Sequence, residues 1–267
     1  MNQFEGLTSG SFKNSTRRRL PICFCLDVSG SMDAPAGFTR KRIDEMNEAF
    51  NRFISSMKEN EMVADAADIA ILTFGGDVKI AQNMTPISQL GRQDFQTVRF
   101  SFTPLGEVVL AAIEVLNLRK QGYKAKGMKY YQPWLVVITD GEPAGVGAED
   151  AMNEAVTELN RLEREGKIVV FNVGIGNDVG IEQLKRLSVK RKDPIRLEVE
   201  NLSDFFDFLN ASSTQIVTGK DPFQDQSSVY EMNPSYGDNQ GYPADGSEKK
   251  SGIPDYEEKI DISKWCL

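Results

Sequence analysis

Four short, unbroken apolar runs recur along this chain with helically spaced stretches between them. They are LPICFCLD (20–27), DIAILTFGG (68–76), PWLVVITDG (133–141) and KIVVFNVGIG (167–176). A strand with one face in water alternates apolar and polar residues, whereas a strand covered on both faces reads as a continuous apolar run. The intervening segments carry the helical period. Ile43, Met46, Phe50, Phe53, Ile54 and Met57 fall on one face of 40–60, and Leu105, Val108, Val109, Ala112, Ile113 and Leu116 on one face of 104–122. Further helices are predicted over 148–166, ended by Gly166, over 180–189, and over 202–214 with Ser203 as a candidate cap. DVKIAQNMT (77–85) follows Gly75–Gly76 and reads as the second arm of a hairpin, hence an antiparallel edge strand. IRLEVE (195–200) alternates like an outer strand. The expected fold is therefore α/β and doubly wound: a mostly parallel central sheet, one antiparallel edge strand, and helices on both faces.

This pattern assigns residues 19–218 to one folded domain and 1–18 to an N-terminal extension. From 219 to 267 the chain turns Pro-, Gly- and Tyr-containing and acidic, an extended or disordered tail in which Ile260, Ile262 and Trp265 are the residues able to dock. No apolar run reaches membrane-spanning length, and the first residues lack the apolar core of a signal peptide. Cys23 and Cys25 lie two apart in one strand, so they point the same way and read as reduced core residues of a cytoplasmic protein. The net charge of −8 argues against a nucleic-acid partner. The local exception, Arg17–Arg19, reads as a solvated flank of the first strand.

The 267 residues include no histidine, which removes the commonest general base and the commonest transition-metal ligand. Any metal should be a hard cation held by oxygen. In open α/β sheets ligands gather beyond the carboxyl ends of the strands, where the strand order reverses. Three features fall there. Asp27, Ser29 and Ser31 follow the first run at alternate positions, which extended chain projects to one side. Asp140 ends the third run, where a lone buried carboxylate would be costly. Thr103 precedes a helix in SFTPLGE. Each also suits something ordinary: a turn or helix cap for the serines, an N-cap before Pro104 for Thr103. Together they are two carboxylates and three hydroxyls, a set apt for a hard dication that would accept one more carboxylate from outside. Glu107 and Glu142 lie near these loops and read as solvated surface residues. NVGIGNDVG lacks both the lysine and the spacing of a phosphate loop.

DVSGSM, FTPLGEVV and ITDGEP resemble, in chain order, the three loops of the metal-ion-dependent adhesion site (MIDAS) of von Willebrand factor type A (VWA) domains. RRLPICFCLDVSGSM and YYQPWLVVITDGEP are most similar to the bacterial TerY group, associated with tellurium resistance. The resemblance runs from about residue 19 to 215, and one departure is visible: Ser101 and Phe102 stand where glycines often precede the threonine. It implies metal ligation by Asp27, Ser29, Ser31, Thr103 and Asp140. It also implies Mg²⁺ as the ion, with Mn²⁺ or Ca²⁺ as alternatives. A protein partner would supply an Asp or Glu, within a cytoplasmic stress-response or phage-defence assembly that includes kinase-like and phosphatase-like proteins. Neither nucleic acid nor membrane is expected as a partner, and no enzymatic activity is. Two other functions compete: a Mg²⁺-dependent phosphoester hydrolase, and an adaptor for a MoxR- or chelatase-type ATPase. Against the hydrolase, none of the three loops carries a Lys or Arg to hold a phosphate.

Overall fold

A computed structural model of the protein describes residues 8–13, 16–36, 40–99, 101–176 and 180–219. The expected tail, with its candidate docking residues and Cys266, lies outside them. In chain order the strands are β1 (Leu20–Asp27), β2 (Pro35–Ala36), β3 (Arg40–Lys41), β4 (Ala67–Gly75), β5 (Asp77–Pro86), β6 (Trp134–Thr139), β7 (Val169–Ile175) and β8 (Ile195–Leu197). The helices are α1 (Arg42–Glu59), α2 (Glu61–Ala66), α3 (Leu105–Ala125), α4 (Ala148–Arg164), α5 (Ile181–Arg186) and α6 (Leu202–Thr218). Among the described residues, one six-stranded sheet runs β5-β4-β1-β6-β7-β8, and only the β4–β5 pairing in it is antiparallel. The doubly wound α/β expectation holds.

The apolar runs are explained by the two cores they separate. Leu20, Ile22, Phe24 and Leu26 of β1 face one side with Ile69, Val136 and Phe171, against α1 and α6. Cys23 and Cys25 face the other with Leu72, Val137 and Val170, against α3, α4 and α5. Both cysteines are free and buried. Phe24 meets Phe50 and Phe53 of α1 edge-on, with ring centroids 5.1 and 5.6 Å away, and Phe206 of α6 at 6.2 Å. The chain leaves β1 for β4 on one side and returns to β6 on the other. The strand order therefore reverses between β1 and β6, and their carboxyl ends define the crevice.

Several local expectations change. Arg40 and Lys41 do not begin α1; they pair with Pro35 and Ala36 in a two-stranded ribbon. Helix α2 is too short for periodicity to reveal, and the Asn60 side chain caps it by accepting from the Met62 and Val63 amides. Ser203 is not a cap. A 3₁₀ turn, Val199–Asn201, leads into α6, and the Leu202 amide bonds the Val199 carbonyl. That same turn ends β8 after three residues.

The solvated reading of Arg17–Arg19 fails at Arg19, which is wholly buried. Its Nε donates to Asp68 Oδ2 at 3.0 Å, and its Nη2 pairs with Asp68 Oδ1. Arg119 Nη2 reaches Asp68 Oδ2 at 2.8 Å, and the Tyr123 hydroxyl donates to the same oxygen. Arg119 Nη1 also donates to the Ser9 and Ser11 carbonyls at 2.8 and 2.6 Å, and its guanidinium lies 3.8 Å from the centre of the Phe12 ring. One carboxylate thus serves two buried guanidiniums at the amino ends of the strands, sealed by residues 9–12.

Two changes test this packing. Asp68→Ala leaves Arg19 and Arg119 buried without their carboxylate, and urea unfolding should show a loss of about 3–5 kcal/mol. Gly106→Ala should also destabilise, although alanine is normally the better helix former by about 1 kcal/mol. A Cβ at Gly106 would lie 2.4 Å from the Met152 amide nitrogen and 2.5 Å from the Ala151 carbonyl carbon, so α3 and α4 would have to part. A cost of about 1–3 kcal/mol is expected; a gain would show that the helices give way freely.

Candidate metal site

Asp27 sits at the carboxyl end of β1, and Thr139 and Asp140 at and just beyond the end of neighbouring β6. The β1–β6 register pairs Leu26 with Ile138, which sets the next residues, Asp27 and Thr139, side by side. The Thr139 hydroxyl donates to Asp27 Oδ2, and the Ser29 amide donates to Asp27 Oδ1 at 2.8 Å. A 3₁₀ turn, Gly30–Asp33, follows. Ser29 occupies its N-cap position, yet its side chain makes no capping bond. Instead Ser29 Oγ and Ser31 Oγ lie 2.9 Å apart, and Ser31 Oγ donates to Asp140 Oδ1 at 2.6 Å. The first and third loops are thereby joined through side chains.

Thr103 arrives from the second loop. Helix α3 begins at Leu105 with Pro104 before it and no side-chain cap, so the capping role of Thr103 and the first-turn role of Pro104 are not adopted. The Thr103 carbonyl accepts from the Leu105 and Ala144 amides at 2.8 and 3.1 Å, tying the second loop to the third. A Cβ at Gly141 would stand 3.6 Å from Thr103 Oγ1, so the hydroxyl faces the residue after Asp140. Further backbone bonds brace the rim: the Val28 amide to Phe74, the Val98 amide to Val28, and the Gly76 amide to Phe102. All five sequence-derived residues thus gather at one strand-order reversal. Asp27, Ser29, Thr103 and Asp140 are buried and Ser31 is exposed, so the cluster opens towards solvent on the Ser31 side.

Two participants were not anticipated. Thr139 was legible in principle, since strand parity places it beside Asp27. Arg42, the first residue of α1, was not: the ribbon folds it back, its amide donates to the Ala34 carbonyl, and Nη1 reaches Asp140 Oδ2 at 2.7 Å. The site therefore contains a guanidinium that none of its three loops supplies. Glu107 also departs from the solvated reading. It is half-buried on the first turn of α3, and its Oε2 is buried with no hydrogen-bond partner among the described residues. Glu142 is exposed, as expected.

The electrostatics are lopsided. Asp140 has Arg42, but among the described residues no cation pairs with Asp27. Burial, and secondarily the nearby Asp140 charge, push the Asp27 carboxyl up to about 6 despite its hydrogen bonds from Ser29 and Thr139. The donor set fits a hard dication. It offers two carboxylates and three hydroxyls, and one of the carboxylates lacks a countercharge. Among the described residues no three Asp, Glu, Cys or His side chains cluster, so a site built on acids alone is not available.

The model of the von Willebrand factor type A domain family matches residues 22–211. The chain is similar to several solved structures. A von Willebrand factor type A protein from Catenulispora acidiphila superposes with a TM-score of 0.50 at 14% identity, over 73% of this chain and 43% of that one. BatB from Bacteroides thetaiotaomicron gives 0.48 at 15% identity, over 75% of this chain and all of that one. Proximal thread matrix protein 1 of the mussel byssus, solved with zinc in its MIDAS motif, gives 0.43 at 15% identity, over 73% and 48%. The chain thus spans less than half of the Catenulispora and mussel chains. No curated protein matches it significantly.

The raised Asp27 carboxyl sets a pH dependence for the metal-free protein. The folded state binds this proton more tightly than the unfolded chain. The associated stability is complete below the ordinary aspartate range, near 3.8, and is lost as pH rises through about 6. The shift corresponds to about 3 kcal/mol. Asp27→Asn should abolish that slope in EDTA and be the more stable form at pH 7.5; equal slopes in both proteins would refute the assignment.

Proposed function

We propose that this chain, which belongs to the von Willebrand factor type A domain family, is a metal-dependent protein-interaction module. The observation that carries this reading is the side-chain link from Ser29 through Ser31 to Asp140, set beside Asp27 and Thr103 at the β1–β6 reversal. Asp27, Ser29, Ser31, Thr103 and Asp140 would hold the ion, for which Mg²⁺ is the first choice. When bound, the ion supplies an electrophilic centre for a carboxylate of a partner. The rest is the chain's own work. The β1 and β6 ends aim the two acids, Thr139 orients Asp27, and the braced loops keep the hydroxyls in place.

Partner docking has support at the rim. Phe102, 61% exposed, stands on the second loop, and Val146, fully exposed, on the third. These are the exposed large apolar side chains among the described residues. A Cβ at Gly145 would lie 3.5 Å from Phe102 Cβ, so the two loops meet there. Apolar side chains beside a polar, electrophilic centre suit a protein surface better than a small solute. A cytoplasmic, TerY-like stress-response role, with kinase-like and phosphatase-like proteins nearby, follows from the sequence resemblance and belongs to this proposal. No helix of the described residues is long and apolar enough to cross a membrane.

The phosphoester-hydrolase reading gains one observation, since Arg42 brings to the site the cation its three loops lack. Among the described residues, however, no group of three acids stands ready for a second metal ion, and the rim beside the site carries the exposed Phe102 and Val146, so binding remains the better reading.

Calorimetric titration tests the proposal. The wild-type chain should bind Mg²⁺ or Mn²⁺, and Asp27→Ala and Asp140→Ala should each weaken binding by about 100-fold or more. Affinity purification from the native host should then give a partner lost on adding EDTA and lost with Asp27→Ala. A partner retained under both conditions refutes the metal-dependent reading, and Mg²⁺-dependent phosphatase turnover lost in Asp140→Ala would favour the hydrolase.

A further inference from the structure

We propose that Arg42 is an internal counter-cation of Asp140, and that a divalent ion must exchange with it to occupy the site. The inference rests on the metal reading above. Its geometry is specific. The Asp140 side chain is wholly shielded from solvent, and both its oxygens are committed, Oδ1 to the Ser31 hydroxyl and Oδ2 to Arg42 Nη1 at 2.7 Å. Arg42 retains 28% exposure, so it has a path outward that Asp140 lacks. The guanidinium lies over Gly176 at the end of β7: a Cβ there would come within 3.2 Å of Nη2 and 3.6 Å of Cζ. A glycine at that position is what leaves the slot open. The base of the side chain is fixed, because the Arg42 amide is bonded to Ala34 and the β2–β3 ribbon holds the start of α1 against the first loop.

The chemistry makes the two cations rivals. A guanidinium stays charged at every accessible pH, so it leaves Asp140 only by moving, never by losing a proton. A hard dication drawn to Asp140 meets the same carboxylate already neutralised, with a like charge beside it. In the metal-free protein Arg42 offsets the burial of Asp140. In the loaded protein it is displaced but tethered at the rim. Two carboxylates, one guanidinium and one dication then leave the site with a net positive charge that favours an incoming acidic side chain. Arg42 is a positioning and competing residue, and it ligates nothing itself.

The test compares full-length wild type, R42Q and R42K by Mn²⁺ titration, read by electron paramagnetic resonance, and by thermal unfolding in EDTA. R42Q removes the charge and keeps hydrogen-bonding length, so it should bind Mn²⁺ about tenfold tighter or more. In EDTA it should melt below wild type, and saturating Mn²⁺ should narrow that gap. R42K keeps the charge and should bind Mn²⁺ close to wild type. R42Q binding with wild-type or weaker affinity overturns the inference, as does R42K binding as tightly as R42Q. If neither wild type nor R42Q binds Mn²⁺, the metal reading itself falls and this inference with it. Binding by wild type with no gain in R42Q removes the inference alone.

Discussion

Two carboxylates held close together at the ends of adjacent buried strands are the condition that the rest of the candidate site answers. Asp27 and Asp140 are both shielded from water and close enough that the charge of Asp140 disfavours ionisation of Asp27. Left alone, such a pair would spread the strand ends or take up a proton. This molecule meets the condition unevenly: neutral donors surround Asp27, and a guanidinium covers Asp140. That unevenness gives the site direction. One acid is satisfied by an ionic partner, while the other still favours a positive charge.

The precision of the pair comes from elements with no polar role. β1 is packed on both faces, so its end cannot drift, and β6 inherits its position through the register. The loops above are held chiefly by backbone, Val28 to Phe74, Gly76 to Phe102, and Thr103 to Ala144. Gly75 contributes by its lack of a side chain, since a Cβ there would lie 2.9 Å from the Ser29 amide nitrogen. The site is thus tensioned by close contact between chain segments far apart in sequence.

Much of this was legible in the sequence, for reasons that can be named. Strands covered on both faces leave unbroken apolar runs, so β1, β4, β6 and β7 were visible, and with them the sheet edge where Asp27 and Asp140 emerge. Alternation in extended chain brought Ser29 and Ser31 to the same side as Asp27. What escaped depended on chain reversals too short to have a period. The two-residue ribbon Pro35–Ala36 and Arg40–Lys41 returns Arg42 to the strand ends, and nothing in the local pattern marks it. The burial of Arg19 escaped for a different reason. A basic triplet looks solvated until Asp68 and Tyr123, distant in sequence, are known to converge on it.

The placement of β1 has a mechanical consequence. It is paired in parallel with β4 from Leu20 to Asp27 and with β6 from Ile22 to Leu26, and its last residue opens the loop that carries Ser29 and Ser31. A partner gripping that loop and pulling along the strand would load both ladders in shear, so their bonds would have to fail together rather than peel one by one. At the far end the strand is moored by Arg19, which Asp68 holds inside the protein. A chain built this way carries tension from its rim through its most protected strand to a dry ionic anchor.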